Sequence, residues 1–225
     1  METKTTSDRE AIWCRHRNGQ SYTFEEFAAR VEAFHGYAAP GLLLGGSMVS
    51  LAMEGLPPDT LFDAICETRT CLPDAVQMLT PCTVGNGWLR LHELGRFALT
   101  LFDKETGEGV RVAVRSDRLE EWPELKAFFF KLVPKKLQDA QRLIAEIRAA
   151  GTAVCTSAPA TVRPDLRLKQ HMGPVAVCPD CGEGYPLRHG KRCLACSGSG
   201  YYDSSSAPPA TSGSVRPAGA GGAGR

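Results

Sequence analysis

The chain has 225 residues, 43% of them hydrophobic, with 26 Lys and Arg against 25 Asp and Glu for a formal net charge of +1. That length can bury one sizeable core and carry a small satellite module, and the near-neutral balance offers no long-range field for nucleic acid, an acidic substrate or an anionic membrane. The polar start METKTTSDRE has no apolar h-region, and the longest apolar run, GLLLGGSMVSLAM, falls short of the roughly 20 residues of a membrane span, so a cytoplasmic chain without membrane contact is expected.

In chain order, SYTFEEFAARVEAF (21–34) predicts a helix: Thr23 followed by Glu26 is a capping-box pattern, and Phe24, Phe27, Ala28 and Val31 share one face. HGYAAPG breaks it. Pro40 then suits the first turn of a second helix over 40–55, which is apolar nearly all round and therefore buried. Gly45 and Gly46 cost this helix about 1 kcal/mol each relative to alanine, so close packing is their expected use. LFDAICET (61–68) reads as a strand, LPDAVQMLT as a short helix with Pro73 at its first position, and CTVGNGWLRL as a loop entering a strand. RFALTLFD and GVRVAVRS alternate in period two around KETGE, a hairpin signal. Pro123 to Ala150 is helical, divided at Pro134, with Leu137, Leu143, Ile144 and Ile147 as the apolar face of the second part.

Long helices beside an antiparallel hairpin predict an α+β fold over 1–150, helices packed on a small antiparallel sheet. Residues 151–170 are expected to be a linker or loosely docked arm, residues 171–201 a four-cysteine zinc module of treble-clef or zinc-ribbon type, and 202–225 a disordered low-complexity tail.

Nine cysteines need a use. A reducing compartment and an odd count argue against disulfides and leave metal ligation, reactive thiols and buried filler. Cys178-x-x-Cys181 and Cys193-x-x-Cys196, eleven residues apart, supply two thiolate knuckles for one tetrahedral structural zinc per chain, a closed site with no open coordination position. His189, in RHGKR, is expected to be exposed rather than a ligand. Arg188, His189, Lys191 and Arg192, with Tyr185 and Tyr201 for stacking, form a basic patch for phosphate or, more blandly, a solvated face.

Upstream, CETRTCLPDAVQMLTPCT carries Cys66, Cys71 and Cys82. Cys66 falls within a strand and reads as a buried small hydrophobe. Cys71 stands at a helix start, where free amides and the dipole favour thiolate, with Asp74 in the same first turn. His35 stands at the mouth of the buried helix, and Cys82 follows the short helix, roughly 12–16 Å from Cys71 if that helix is regular. Spacing alone therefore argues for separate positions. Cys14 and Cys155 are assigned no role.

His35-Gly36 with Pro40-Gly41 and Gly45, then Glu67, Cys71, Asp74-Ala75, Gln77, Cys82-Thr83, Gly85 and Asn86, followed by GRFALTLFDKETGEGVRV and CPDCGE, make the chain resemble the FmdE-like family, named for a polypeptide of formylmethanofuran dehydrogenase, over most of residues 20–200. The resemblance implies an α+β core, a dimer, a C-terminal zinc module, and a cleft whose histidine and cysteines bind metal. It makes His35, Cys71 and Cys82 the candidate ligands of a second metal ion, with a partner protomer available to close the gap, and His35, Cys71 and Asp74 the candidate catalytic groups. Members often read H-G-H-x-C-P-G where this chain has Tyr37 and Ala39, so two ligands of that loop are gone. The chain has no large domain for a pterin cofactor, so the dehydrogenase chemistry does not transfer.

Three functions follow as expectations. The first is a metal-binding accessory protein with a His/Cys-lined cleft for a small molecule, linked to a molybdenum or tungsten enzyme or one-carbon metabolism and assembled as a homodimer. The second is a small enzyme using Cys71 and His35 on a metal or as a thiol. The third, less favoured given the neutral charge, is a zinc-module adaptor for nucleic acid or protein.

Overall fold

A computed structural model describes residues 11–168 and 172–202. By contact the chain divides into two units, 1–168 and 169–225. In the first unit, a short ribbon of β1 (Cys14–Arg15) and β2 (Ser21–Tyr22) leads into α1 (Phe24–His35). Thr23 caps α1 as its sequence predicts: its hydroxyl accepts from the Glu26 amide while the Glu26 carboxylate accepts from the Thr23 amide. Then come α2 (Pro40–Glu54), β3 (Phe62–Cys66), α3 (Leu72–Leu79), β4 (Leu89–Leu91), β5 (Ala98–Asp103), β6 (Glu108–Val114), α4 (Pro123–Phe129), α5 (Ala140–Ala150), β7 (Cys155–Thr161) and the single turn α6 (Pro164–Arg167).

The sheet runs β4-β3-β5-β6-β7, antiparallel except for the parallel β3–β4 pair. Period two sorts β3 cleanly. Phe62, Ala64 and Cys66 enter the main core under the helices, and Ile65 joins Phe102 and Val162 on the opposite face. The alternation in β5 and β6 likewise sends Leu99, Leu101, Val110 and Val112 to the helical side, which is why this hairpin was legible.

α2 runs through the centre of this core, buried on nearly every side. A Cβ at Gly46 would stand 2.3 Å from the Phe27 ring, and one at Gly45 would stand 2.8 Å from the Ala75 methyl, so both glycines let α1 and α3 close on α2. The close packing expected of them is present. The apolar surface of α2 is covered within the chain itself.

Residues 151–170, expected as linker, hold β7, which pairs along its length with β6 as the edge strand of the sheet. Cys155 and Val154 anchor it in the core, while its middle, TSAPA, has no apolar alternation to betray a strand. Leu137 also departs from expectation: it lies in a 3-10 turn before α5 and is exposed, whereas Leu143 and Ile147 are buried. Asp139 caps α5 and starts it after the position that the apolar count assigned.

In the second unit, β8 (Val175–Val177) and β9 (Gly184–Pro186) form a hairpin, followed by a short turn over Ala195–Ser199. Its small core consists of Cys178, Tyr185 and Cys193. The tail from 203 onward, expected to be disordered, lies outside the described residues. Among the described residues no helix is long and apolar enough to cross a membrane.

Candidate functional site

Cys178, Cys181, Cys193 and Cys196 place their sulfurs within 4.8 Å of one another. Tetrahedral zinc with Zn–S bonds of about 2.3 Å holds its sulfurs about 3.8 Å apart, and Cys181 and Cys193 stand at 3.9 Å. The Cys193 amide approaches the Cys178 sulfur at 3.5 Å and the Cys196 amide the Cys193 sulfur at 3.4 Å. Such donors, led by the Cys193 amide, pull the Cys178 thiol down to about 6, towards the thiolate a metal needs. The donor set and spacing fit a structural zinc. Tyr185, expected to stack on a ligand, is instead buried, its hydroxyl donating to the Gly190 carbonyl at 3.0 Å. His189 is half-buried, not exposed, and lies outside the sulfur cluster. Arg192 pairs with Asp180 at 2.9 Å, which lowers the free charge of the basic patch.

The upstream residues do not assemble in the same way. Among the described residues, the zinc quartet is the sole group of three or more His, Cys, Asp or Glu side chains close enough to share an ion. Cys82 is fully buried, its thiol directed at the Phe62 carbonyl 3.5 Å away. His35 ends α1 in solvent with its ring edge-on to Tyr37. The expected second metal site on His35, Cys71 and Cys82 is therefore not formed within the chain. The length of α3 keeps the two cysteines apart, and the core holds Cys82. Asp74 lies half-buried in the first turn of α3, its amide donating to the Cys71 carbonyl at 3.1 Å.

Cys71 borders a cavity. Its backbone sits at φ 54°, ψ −50°, and the Leu72 amide donates across it to the Thr70 carbonyl at 2.5 Å. This is a γ-turn of the rare, strained hand, between the strand β3 and the helix α3. Thr68 braces the approach, its hydroxyl accepting from the Thr70 amide. The Cys71 sulfur packs so tightly on α2 that a Cβ at Gly41 would stand 2.9 Å from it. Beyond the thiol opens a cavity of about 790 Å³ lined by Tyr37, the first turn of α2, Thr68, Thr70, Phe97, and residues of α4 and α5 with Lys131 and Lys135 between them. Volume and aromatic walls are those of a small-molecule site. The sequence reading missed Phe128, Phe129, Lys131 and Lys135. Their signal was KAFFFKLVPKK, three consecutive phenylalanines that no single helical stripe can bury.

The thiol is not the acidic nucleophile that a helix start predicts. Burial, followed by the nearby Asp74 carboxylate, raises it above its ordinary 9.0, against a smaller lowering by Lys131 and Lys135. Cys14, Cys66 and Cys155 are pushed up to about 12 and Cys82 to about 11 by burial. We expect iodoacetamide to modify Cys71 first among these five, because it alone of them is not fully buried. Its rate should still be climbing as pH passes 9. A rate that levels off by pH 8 would contradict this.

Other residues that carry the resemblance bind backbone or arginine outside the cavity lining. Asn86 accepts from the Thr83 and Trp88 amides and donates to the Pro81 carbonyl, and Gln77 accepts from the Val84 amide. Glu67 accepts two parallel bonds from Arg111 and a third from Arg96.

Residues 34–162 match the family model described as FmdE, Molybdenum formylmethanofuran dehydrogenase operon, and 169–203 match the FmdE treble clef zinc finger. The chain belongs to the FmdE family. A solved structure of a tungsten formylmethanofuran dehydrogenase FmdE-like protein from Syntrophus aciditrophicus is 46% identical, with a TM-score of 0.75, covering 84% of this chain and 98% of that one. A probable S-adenosyl-L-methionine-binding protein from Archaeoglobus fulgidus is 33% identical over 144 residues, 58% of this chain; the chain spans 39% of that relative's length. The family read from the motifs is thus confirmed, and the treble clef makes the cysteine quartet the structural zinc site of an FmdE finger.

Proposed function

We propose that this FmdE-family chain is a cytoplasmic accessory protein that binds a small molecule in the Cys71 cavity and serves a molybdenum or tungsten enzyme of one-carbon metabolism. The observation that carries the ligand-binding part is the cavity itself, set against the strained turn at Cys71 and lined in part by Pro40, Gly41, Gly95 and Phe97 from the stretches that carry the family resemblance. The enzyme link rests on the family's name and on the name of the Syntrophus relative. S-adenosylmethionine, which the Archaeoglobus relative's name mentions, suits this cavity poorly, because its sulfonium cation would meet two lysines and no carboxylate among the lining residues.

The purified chain, mixed at micromolar concentration with a tungsten formylmethanofuran dehydrogenase, is expected to co-elute with it in size-exclusion chromatography. Separate elution would sink the enzyme link. A symmetric homodimer belongs to the same reading, on the family resemblance, and a monomer in light scattering would remove it. A thiol-dependent enzyme is the second reading, favoured by the strained backbone of Cys71, since strain of this kind concentrates at reacting centres. Loss of a turnover activity in Cys71→Ser, with the cavity still binding ligand, would favour it over the first.

A further inference from the structure

Three non-glycine residues among those described have backbone in the left-handed half of φ, and two of them, Cys71 and Lys131, line the same cavity. Lys131 stands at φ 57°, just past the end of α4. The Leu132 amide donates to the Ala127 carbonyl at 2.9 Å and the Lys131 amide to the Phe128 carbonyl at 3.4 Å. These are the two bonds of a Schellman helix end, whose left-handed position strongly favours glycine. The chain holds a lysine there, at a backbone cost that the helix end does not explain.

The surroundings say what the lysine does. Its ammonium lies 4.3 Å from the Phe128 ring centroid, and that of Lys135 lies 4.9 Å from the Tyr37 ring centroid and 3.4 Å from the Tyr37 hydroxyl. Among the described residues neither lysine has a carboxylate in ion-pair range, and no Asp or Glu lines the cavity. Cys71, Lys131 and Lys135 line one space, and both ammonium groups act on the thiol, against a larger opposing effect of the Asp74 carboxylate, which is not part of the lining. α2 begins at this wall with neither an acidic first turn nor a side-chain cap, which adds to the positive potential. Behind the charges the walls are Leu44, Phe97, Phe129 and Ile144, an apolar floor with no complementary anion.

Resting on the ligand-binding reading above, we propose that the cavity takes a small organic anion, its aromatic or aliphatic body seated on Phe97 and Phe129 and its carboxylate or phosphate held by Lys131 and Lys135. Lys131 keeps its strained backbone position because that position aims the ammonium at the cavity mouth. The two cations set the sign of the ligand's head, and the aromatic walls set the character of its body.

The test uses the full zinc-loaded chain and two fluorescent probes of similar shape, anionic 1-anilinonaphthalene-8-sulfonate and neutral N-phenyl-1-naphthylamine. Site occupancy is read as protection of Cys71 from iodoacetamide at pH 9. The anionic probe is expected to bind saturably, to protect Cys71, and to weaken at least tenfold in Lys131→Gly and in Lys135→Gln. The neutral probe should bind all three proteins alike. Lys131→Gly should melt at or above the wild-type temperature, because glycine relieves the turn. Competition by 2-naphthoate and by 1-naphthyl phosphate then separates a carboxylate preference from a phosphate preference, and displacement by neither would overturn the assigned head group. Unchanged binding of the anionic probe in both lysine variants, or a lower melting temperature of Lys131→Gly, would overturn the proposal. Protection of Cys71 by the neutral probe alone would refute the anion while keeping the ligand cavity. Protection by neither probe would remove the cavity reading as well.

Discussion

Replacing Cys193 with serine is expected to release the bound zinc and unfold residues 172–202, while the melting of the 11–168 region stays within a degree or so of wild type. The module's apolar core is two ligand cysteines and Tyr185, with other ligand cysteines packed around it. So small a core cannot offset the conformational entropy of about thirty residues, and the metal must supply the difference. Structural zinc sites contribute roughly 10–16 kcal/mol in isolated fingers, so losing one ligand of four removes the fold outright. The main core draws on none of these residues, running from Cys14 to Cys155. Elemental analysis and amide NMR of the variant test both halves. Retained zinc would refute the four-thiolate site, and a collapsed core would refute the independence of the two units.

Glu67→Ala is expected to cost the core about 3 kcal/mol, the low end of what breaking a buried ion pair costs, since Arg96 and Arg111 keep part of their solvation. Glu67 is nearly inaccessible, and its carboxylate takes the Arg111 guanidinium side-on at 2.6 and 2.9 Å and Arg96 at 2.7 Å. Its backbone also anchors the loop after β4, its carbonyl accepting from the Leu94 and Arg96 amides and its amide donating to the Ala98 carbonyl. That loop carries Gly95 and Phe97 to the cavity wall with Arg96 between them, so losing the Glu67–Arg96 ion pair should also weaken binding there. The hydrogen bonds from Arg111, more than any other influence, hold the Glu67 carboxyl below its ordinary 4.5. A depressed carboxylate contributes stability in full above its unfolded-state value and loses it as pH falls through the folded-state value. The gap in unfolding free energy between wild type and Glu67→Gln should therefore be constant above about pH 5.5 and narrow below 4.5. Urea melts at pH 7, 5 and 3.5 measure it, and a gap that widened on acidification would contradict the ion-pair assignment.

How far local pattern reaches differs from element to element. α1 was legible to its cap because Thr23, Glu26 and an apolar stripe are all short-range signals. The β5–β6 hairpin was legible because one face meets helices and the other does not. β7 was not, since an edge strand with Ala, Ser and Pro at its centre is held by backbone bonds to β6, which leave no mark on side-chain periodicity. The cavity at Cys71 was half visible: the helix start marked Cys71, the family resemblance joined His35 and Cys82 to it, and the spacing across α3 already argued for separate positions.

The sequence by itself determined the family, the α+β class and the zinc quartet, because each rests on spacing within a few residues: knuckle turns, capping boxes and alternation are chemistry that a short stretch completes alone. The tertiary structure alone decided which residues share a site. Cys82 went to the core because α3 carries the chain away from Cys71, and His35 went to solvent at the last turn of α1. Tyr37, Phe97, Lys131 and Lys135 converged on Cys71 from segments up to about a hundred positions apart. No local energy term connects such residues. They meet because α2 is buried and the helices around it close over its first turn, and that closure is set by packing of the whole core.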